Sequence, residues 1–383
     1  MTHIINYDEA TWPELSVLPK EIPIILPFGR NYSTKQLLDL YPTEENLLLL
    51  PTFPFGWQGS GLEVSKLTLT HHIENIIFGL QEDGFKNIAS FSPVKLDLPV
   101  DIQQHKYLIP SDQSKRSVDL TENNNKVVVI PIGHTEQHSY HLPMSTDTVI
   151  IEAIAKGLGE VTSDLCFTLP VMPYGVSTHR SSFFGTLNAG GRAFEDFWME
   201  VIDRLVDSGY EKMYFINGHG GNSSFLNNVI KYAGDKYKRI FCATAFLYLS
   251  GPAGVAALEK YRESKTGGMG HACELETSLI LCLRPELVHM DRVKDDVDFI
   301  VTPSYYMDWI EGGALIANPP WDDDSVHGAY GAGSLGTSEK GQIWLQIAIQ
   351  EKVSHIKEII EQFEKRKARR DSGFGRWGQM TEG

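Results

Sequence analysis

Cysteine is scarce in this sequence, with Cys166, Cys242, Cys273 and Cys282 the only four in 383 residues and no Cys-x-x-Cys among them. That excludes a disulfide framework and a thiolate zinc site, and it fits a reducing compartment. A basic excess is missing too. Against 34 Lys and Arg stand 49 Asp and Glu, leaving a net charge of −15, so the counterion release that drives binding to nucleic acid has no source and an anionic membrane surface is equally unsuited. No uncharged apolar run reaches the roughly 18 residues of a membrane span, and Met1 to Asp8 has no basic region followed by an apolar one. A soluble, cytoplasmic protein with neither nucleic-acid nor membrane partner is expected. What the chain does have is length and apolar content. With 42% hydrophobic residues over 383 positions it can bury a large core, as one large domain or two moderate ones.

From about Lys126 onward strand and helix patterns alternate. The β-branched run Val127 to Ile132, ended by Gly133, reads as a strand buried on both faces, and Thr148 to Leu158 as a helix. Leu165 to Pro170, Lys212 to Ile216 and Ile240 to Thr244 read as further strands. Between them, Phe194 to Ser208 and Phe225 to Tyr237 carry helical spacing. This alternation predicts an α/β fold of three layers, a mostly parallel central sheet flanked by helices on both faces, with its site in the loops at the carboxyl ends of the strands.

The first 100 residues read as a degenerate partial copy of that scaffold. Ile22 to Gly29 echoes the strand ending at Gly133, and Leu50-Pro51-Thr52-Phe53-Pro54-Phe55-Gly56 matches Leu169-Pro170-Val171-Met172-Pro173-Tyr174-Gly175. In this pairing Ala89-Ser90-Phe91 stands where the later segment has Asn217-Gly218-His219. Chance similarity among short apolar strands is the competing explanation. Residues 101–125, polar and rich in Asp, Ser and Asn, are the expected linker, and residues 126–383 the catalytic part. The charge run from Glu364 reads as the solvated end of a helix.

Six histidines fall in four short segments: His134, His138 and His141, then His179, His219 and His271. The segment Gly133 to Asp147 places Glu136, His138 and Asp147 on the loop after a buried strand. Mixed oxygen and nitrogen donors without thiolate suit zinc, manganese or iron(II), although such a loop is by itself also compatible with a solvated turn. In Asn217-Gly218-His219-Gly220-Gly221-Asn222 three glycines surround one histidine, which lets the backbone approach something closely. The segment has neither Gly-Lys-Ser/Thr nor Gly-x-Gly-x-x-Gly, so metal ligation by His219 is preferred to phosphate binding. Gly270 to Ser278 then opens an apolar helix with His271, Glu274 and Glu276. A carboxylate in a first helical turn is also an ordinary capping residue.

Together these segments resemble the creatininase family of metal-dependent amidohydrolases, which share Gly-x-x-Glu-Gln-His, an Asp eleven residues after the Glu, then Asn-Gly-His, then His-x-x-x-x-Glu-Thr-Ser. The match runs from about Lys126 to Arg292, through Glu136, His138, Asp147, Asn217-Gly218-His219, and His271 with Glu276-Thr277-Ser278. The resemblance implies a site for two divalent ions, with Glu136 and His219 on one, His138 on the other and Asp147 bridging. It implies a proton shuttle at His271, oriented by Glu276, and a substrate-side loop through Ser177 and His179, with Gly220 facing it. Closed-ring homo-oligomers are implied as well. Creatininase itself carries a Tyr and then a metal-binding Glu directly after the Asn-Gly-His histidine, whereas this chain has Gly220 and Gly221. Glu274 is the expected replacement ligand. The substrate implied is a small cyclic amide or formamide, attacked at a C–N bond by a water that the two metals activate. Creatininase proper, a non-catalytic metal-stabilised scaffold and a two-metal phosphoesterase are the alternatives. The last would want more basic residues than Arg180 near the motifs.

Overall fold

The computed structural model describes residues 3–42, 44–96, 98, 102, 104–110, 116–121, 124–178, 182–309 and 312–373. In chain order the first half contributes β1 (His3–Asn6), α1 (Trp12–Ser16), β2 (Ile24–Pro27), α2 (Thr34–Leu40), β3 (Asn46–Leu49), α3 (Lys66–Glu82), β4 (Ile88–Ser92) and β5 (Gln104–Tyr107). These five strands form one parallel sheet in the order β1-β3-β2-β4-β5. Strand β5 lies inside the segment expected to be linker, where Gln104 to Tyr107 pair with Ala89 to Ser92 and complete the sheet edge.

The second half contributes β6 (Val127–Ile132), α4 (Thr146–Val161), β7 (Cys166–Thr168), α5 (Gly191–Asp207), β8 (Lys212–Asn217), α6 (Ser223–Tyr237) and β9 (Phe241–Thr244). After these come α7 (Pro252–Tyr261), β10 (Met269–His271), α8 (Glu274–Leu283), β11 (Tyr330–Gly331) and α9 (Ser338–Asp371). Its main sheet is parallel in the order β7-β6-β8-β9, and β10 and β11 form an antiparallel pair. The fold is α/β, with mostly parallel sheets flanked by helices.

Side-chain alternation along β6 and β8 explains the layers. Val128, Ile130, Met213 and Phe215 face the core containing α5, α6 and α3, whereas Val127, Val129, Tyr214 and Ile216 face the core containing α4, α8 and α9. Strand residues alternate faces with period two, and here both faces are apolar because both are covered. In the first sheet Ile24, Leu26 and Leu48 join the same large core as α3 and α5, while Ile25 and Leu47 meet Leu37 of α2 on the other side. The two halves therefore share one core, with α3 packed on α5. Phe53 stacks on Tyr174 with ring centroids 5.8 Å apart.

Strands β3-β2-β4-β5 and β7-β6-β8-β9 have the same order, and their registers correspond. Gly29 N–H bonds to the Phe53 carbonyl as Gly133 N–H bonds to that of Met172, at 3.1 and 2.9 Å. Pro27 pairs with Phe91 as Pro131 pairs with Ile216. By that register Ser92, not Ala89, stands opposite Asn217, so the sequence pairing of Phe91 with His219 slips by three residues. An ungapped comparison of short apolar strands has no ladder to fix it.

Candidate metal centre

Loop 133–145, between β6 and α4, brings Glu136 and His138 beneath the carboxyl ends of the strands, and Asp147 follows in the first turn of α4. The loop is tight: a Cβ on Gly133 would lie 2.4 Å from Thr148 Oγ1. A Cβ on Gly218 would lie 2.8 Å from the Asp147 carbonyl oxygen, so the glycine before His219 permits close approach of β8 to α4. Ser139 and Ala272, directly after His138 and His271, both hold positive φ, at 58° and 48°. Such backbone is costly for residues other than glycine and collects at functional sites.

Glu136, His138, Asp147, His219, His271 and Glu276 converge, all buried. His219 Nδ1 lies 3.1 Å from Glu136 Oε1 and 3.0 Å from Asp147 Oδ2. The other oxygen of Asp147 lies 3.3 Å from His138 Nε2, which is 3.9 Å from Glu276 Oε2. His271 Nδ1 stands 3.7 Å from Glu136 Oε1.

The second nitrogen of each imidazole fixes its tautomer. His138 Nδ1 sits 3.1 Å from the Glu136 carbonyl, His219 Nε2 3.0 Å from that of Val176, and His271 Nε2 2.7 Å from that of Gln137. A carbonyl oxygen only accepts, so each of these nitrogens carries the proton. The remaining nitrogens of His138, His219 and His271 turn bare lone pairs toward carboxylates. His134 is reversed. Its Nδ1 accepts from Gly175 N–H at 2.9 Å, so Nε2 carries the proton and points at Glu136 Oε2, 3.8 Å away. His134, Glu136 and His219 still form one of the groups whose ligand atoms lie close enough together to hold a metal ion.

Lone pairs facing three carboxylates in a buried site require positive charge, supplied by extra protons or by a cation. Burial opposes charge on His219, yet Glu136 and Asp147 overcome it and push its pKa up to about 9. Burial is likewise outweighed at His138, mainly by Asp147, which raises it, and at Asp147, where His138 lowers it. These donor groups can hold a metal ion. Imidazole nitrogens whose other N–H is tied to a carbonyl are the usual form of such ligands.

Glu274, the expected replacement ligand, is placed elsewhere. Its carboxylate accepts from the backbone N–H groups of Glu263 and Ser264 at 2.9 and 2.8 Å and pairs with Lys340 Nζ at 2.7 Å. Successive residues of a helix turn by about 100°, so Glu274 and Glu276 point roughly 200° apart and only one can face the cluster. Glu276 does. Of the substrate-side residues, Gly220 lines the cavity above the cluster, whereas Ser177 is buried and does not line it. His179 lies outside the described residues. His141 is also drawn away, bonded through Nε2 to Thr277 Oγ1 at 2.9 Å. Sequence reasoning gave no role to His134 or Gln137, which the spacing Gly-His-Thr-Glu-Gln-His could have singled out.

The cavity has a volume of about 660 Å³, floored by Glu136, Asp147, His219, His271 and Glu276 and walled by Phe225, Phe246, Met307, Trp309 and Ile316. The family profile described as creatinine amidohydrolase matches residues 112–356. The chain belongs to the creatininase family. Creatinine amidohydrolase of Pseudomonas putida is 27% identical over 252 residues, covering 61% of this chain and 89% of the relative. 3-Dehydro-scyllo-inosose hydrolase of Thermotoga maritima is 26% identical and covers 62% and 78%. A mycofactocin precursor peptide peptidase of Mycobacterium ulcerans is 31% identical over 175 residues, covering 43% and 62%. Among solved structures, a manganese form of creatininase superposes with a TM-score of 0.51 at 24% identity, over 61% of this chain and 91% of that one. These relatives are hydrolases. No helix among the described residues is long and apolar enough to cross a membrane.

Proposed function

We propose that this creatininase-family protein is a metal-dependent amidohydrolase with a two-ion site. Glu136 and His219 would hold one ion and His138 and Glu276 the other, with Asp147 shared between them. The observation that carries this reading is the set of three imidazoles whose N–H groups are spent on carbonyls and whose bare nitrogens meet three buried carboxylates. Divalent ions bound there would lower the pKa of a water and polarise a substrate carbonyl.

The chain's own groups supply the rest. His271 lines the cavity with Nδ1 3.7 Å from Glu136 Oε1 and its Nε2–H resting on the Gln137 carbonyl, an arrangement that stabilises the imidazolium formed when Nδ1 takes a proton. It can pass that proton to the departing nitrogen, which is otherwise a poor leaving group. The substrate is an amide or formamide, and the roomy cavity, with open space beside Gly220, favours one larger than creatinine. Protein reconstituted with zinc, manganese or iron(II) should carry close to two ions per chain by elemental analysis and turn over at least one member of a panel of formamides, lactams and creatinine. A chain that binds no ion after reconstitution would overturn the reading.

A further inference from the structure

Two side chains of the first half close on a single residue of the second. Gly185 N–H donates to Asp83 Oδ2 at 2.8 Å, and the Gly185 carbonyl accepts from the Tyr7 hydroxyl, also at 2.8 Å. Gly185 holds φ at +89°, and a Cβ there would stand 2.9 Å from Met144 Cε and 3.4 Å from the Tyr7 hydroxyl. The next two residues reach the metal loop. Thr186 Oγ1 accepts from Gln137 N–H at 3.2 Å, and Leu187 N–H donates to the Thr135 carbonyl at 3.0 Å. The strip 185–187 therefore holds the residues on both sides of Glu136, and the Gln137 carbonyl in turn holds His271. The far end of the same loop is also gripped from the first half, where Met144 and Ser145 N–H donate to the Ala10 and Asp8 carbonyls at 2.9 and 2.8 Å.

We infer that Tyr7 and Asp83 are positioning residues for Glu136 and His271, so that the first half, which brings none of the clustered donors, is a working part of the site. The inference rests on reading loop 133–147 as the metal-holding loop. Asp83 ends α3 beside Lys20 and Glu82, and burial, against the pull of the Gly185 N–H and of Lys20, lifts its carboxyl to about 7. Either protonation form can accept from Gly185, as can the amide oxygen of Asn.

The test compares Tyr7→Phe with Asp83→Ala, singly and combined, against Asp83→Asn in the full chain. Binding of Co²⁺ is read by chelator competition and by its visible absorption, kcat and KM on the substrate found by the screen, and amide exchange at residues 135–137 by mass spectrometry. The combined variant should weaken Co²⁺ binding about tenfold, the low end for residues that orient ligands. It should shift the visible bands, lower kcat more than KM, and speed exchange at 135–137. Asp83→Asn alone should match the parent in each of these, since its amide oxygen can still accept from Gly185 N–H. Wild-type exchange and spectrum in the combined variant would overturn the inference. If the parent protein binds no Co²⁺, the metal reading has failed, and unchanged or faster exchange at 135–137 still decides the clamp.

Discussion

His72 and His219 are both enclosed, one in each half, and burial alone opposes charge on either. His72, on α3, lies between the rings of Phe53 and Phe197 at 5.5 and 4.9 Å, and its pKa is lowered to about 3. His219, after β8, meets two carboxylates and is raised to about 9. The halves share a strand order and a register, so the difference lies in what the loops bring to the strand ends. Where the second half has Gly133-His134 and Asn217-Gly218-His219, the first has Gly29-Arg30 and Ser92-Pro93-Val94. Function sits in the residues grafted on the scaffold, not in the scaffold.

Five substitutions in four tests probe that contrast. The largest effect is expected from Asp147→Ala, which removes the carboxylate between two imidazoles. Elemental analysis should find most metal gone, with turnover falling by more than the roughly 10²–10⁴ that an acid–base residue contributes. Next, Glu276→Gln should release metal while Glu274→Gln keeps it. Glu274→Gln instead leaves Lys340 and two backbone donors poorly matched, costing about 1–3 kcal/mol in a denaturant titration. Metal loss in Glu274→Gln with retention in Glu276→Gln would exchange their roles.

A smaller effect concerns acid stability. Because the pKa of His72 in the folded chain lies below the ordinary histidine value of 6.5, its contribution is present above pH 6.5 and is lost as pH falls toward 3. In His72→Leu, melting temperature followed from pH 7 to 4 should decline less steeply than in the parent, and parallel slopes would remove His72 from the acid response. The smallest effect is expected from Arg30→Ala, at the position corresponding to His134. Metal content and turnover should match the parent, and a loss of either would give the first half chemistry of its own.

Much of this was legible in the sequence for a physical reason. Buried parallel strands are apolar on both faces, so Val127 to Ile132 and Lys212 to Asn217 stand out, and their carboxyl-end loops were the places to look for Glu136, His138, Asp147 and His219. The choice between Glu274 and Glu276 was not legible. Both fit a first helical turn, and what separates them is helical phase and Lys340, 66 residues away. The tautomers were hidden too, since the Val176 carbonyl that fixes His219 lies 43 residues from it. Strand β5 escaped notice because four residues at a sheet edge, Gln104 to Tyr107, carry little apolar signal.

The grip of Tyr7 and Asp83 on Gly185 has a consequence for how the protein behaves in solution. A clamp delivered by a separate subunit has an occupancy set by protein concentration and fades on dilution. Carried on the same polypeptide and cemented by a common core, it acts at an effective concentration fixed by the fold itself. This portion of the centre stays assembled in a single molecule, however dilute.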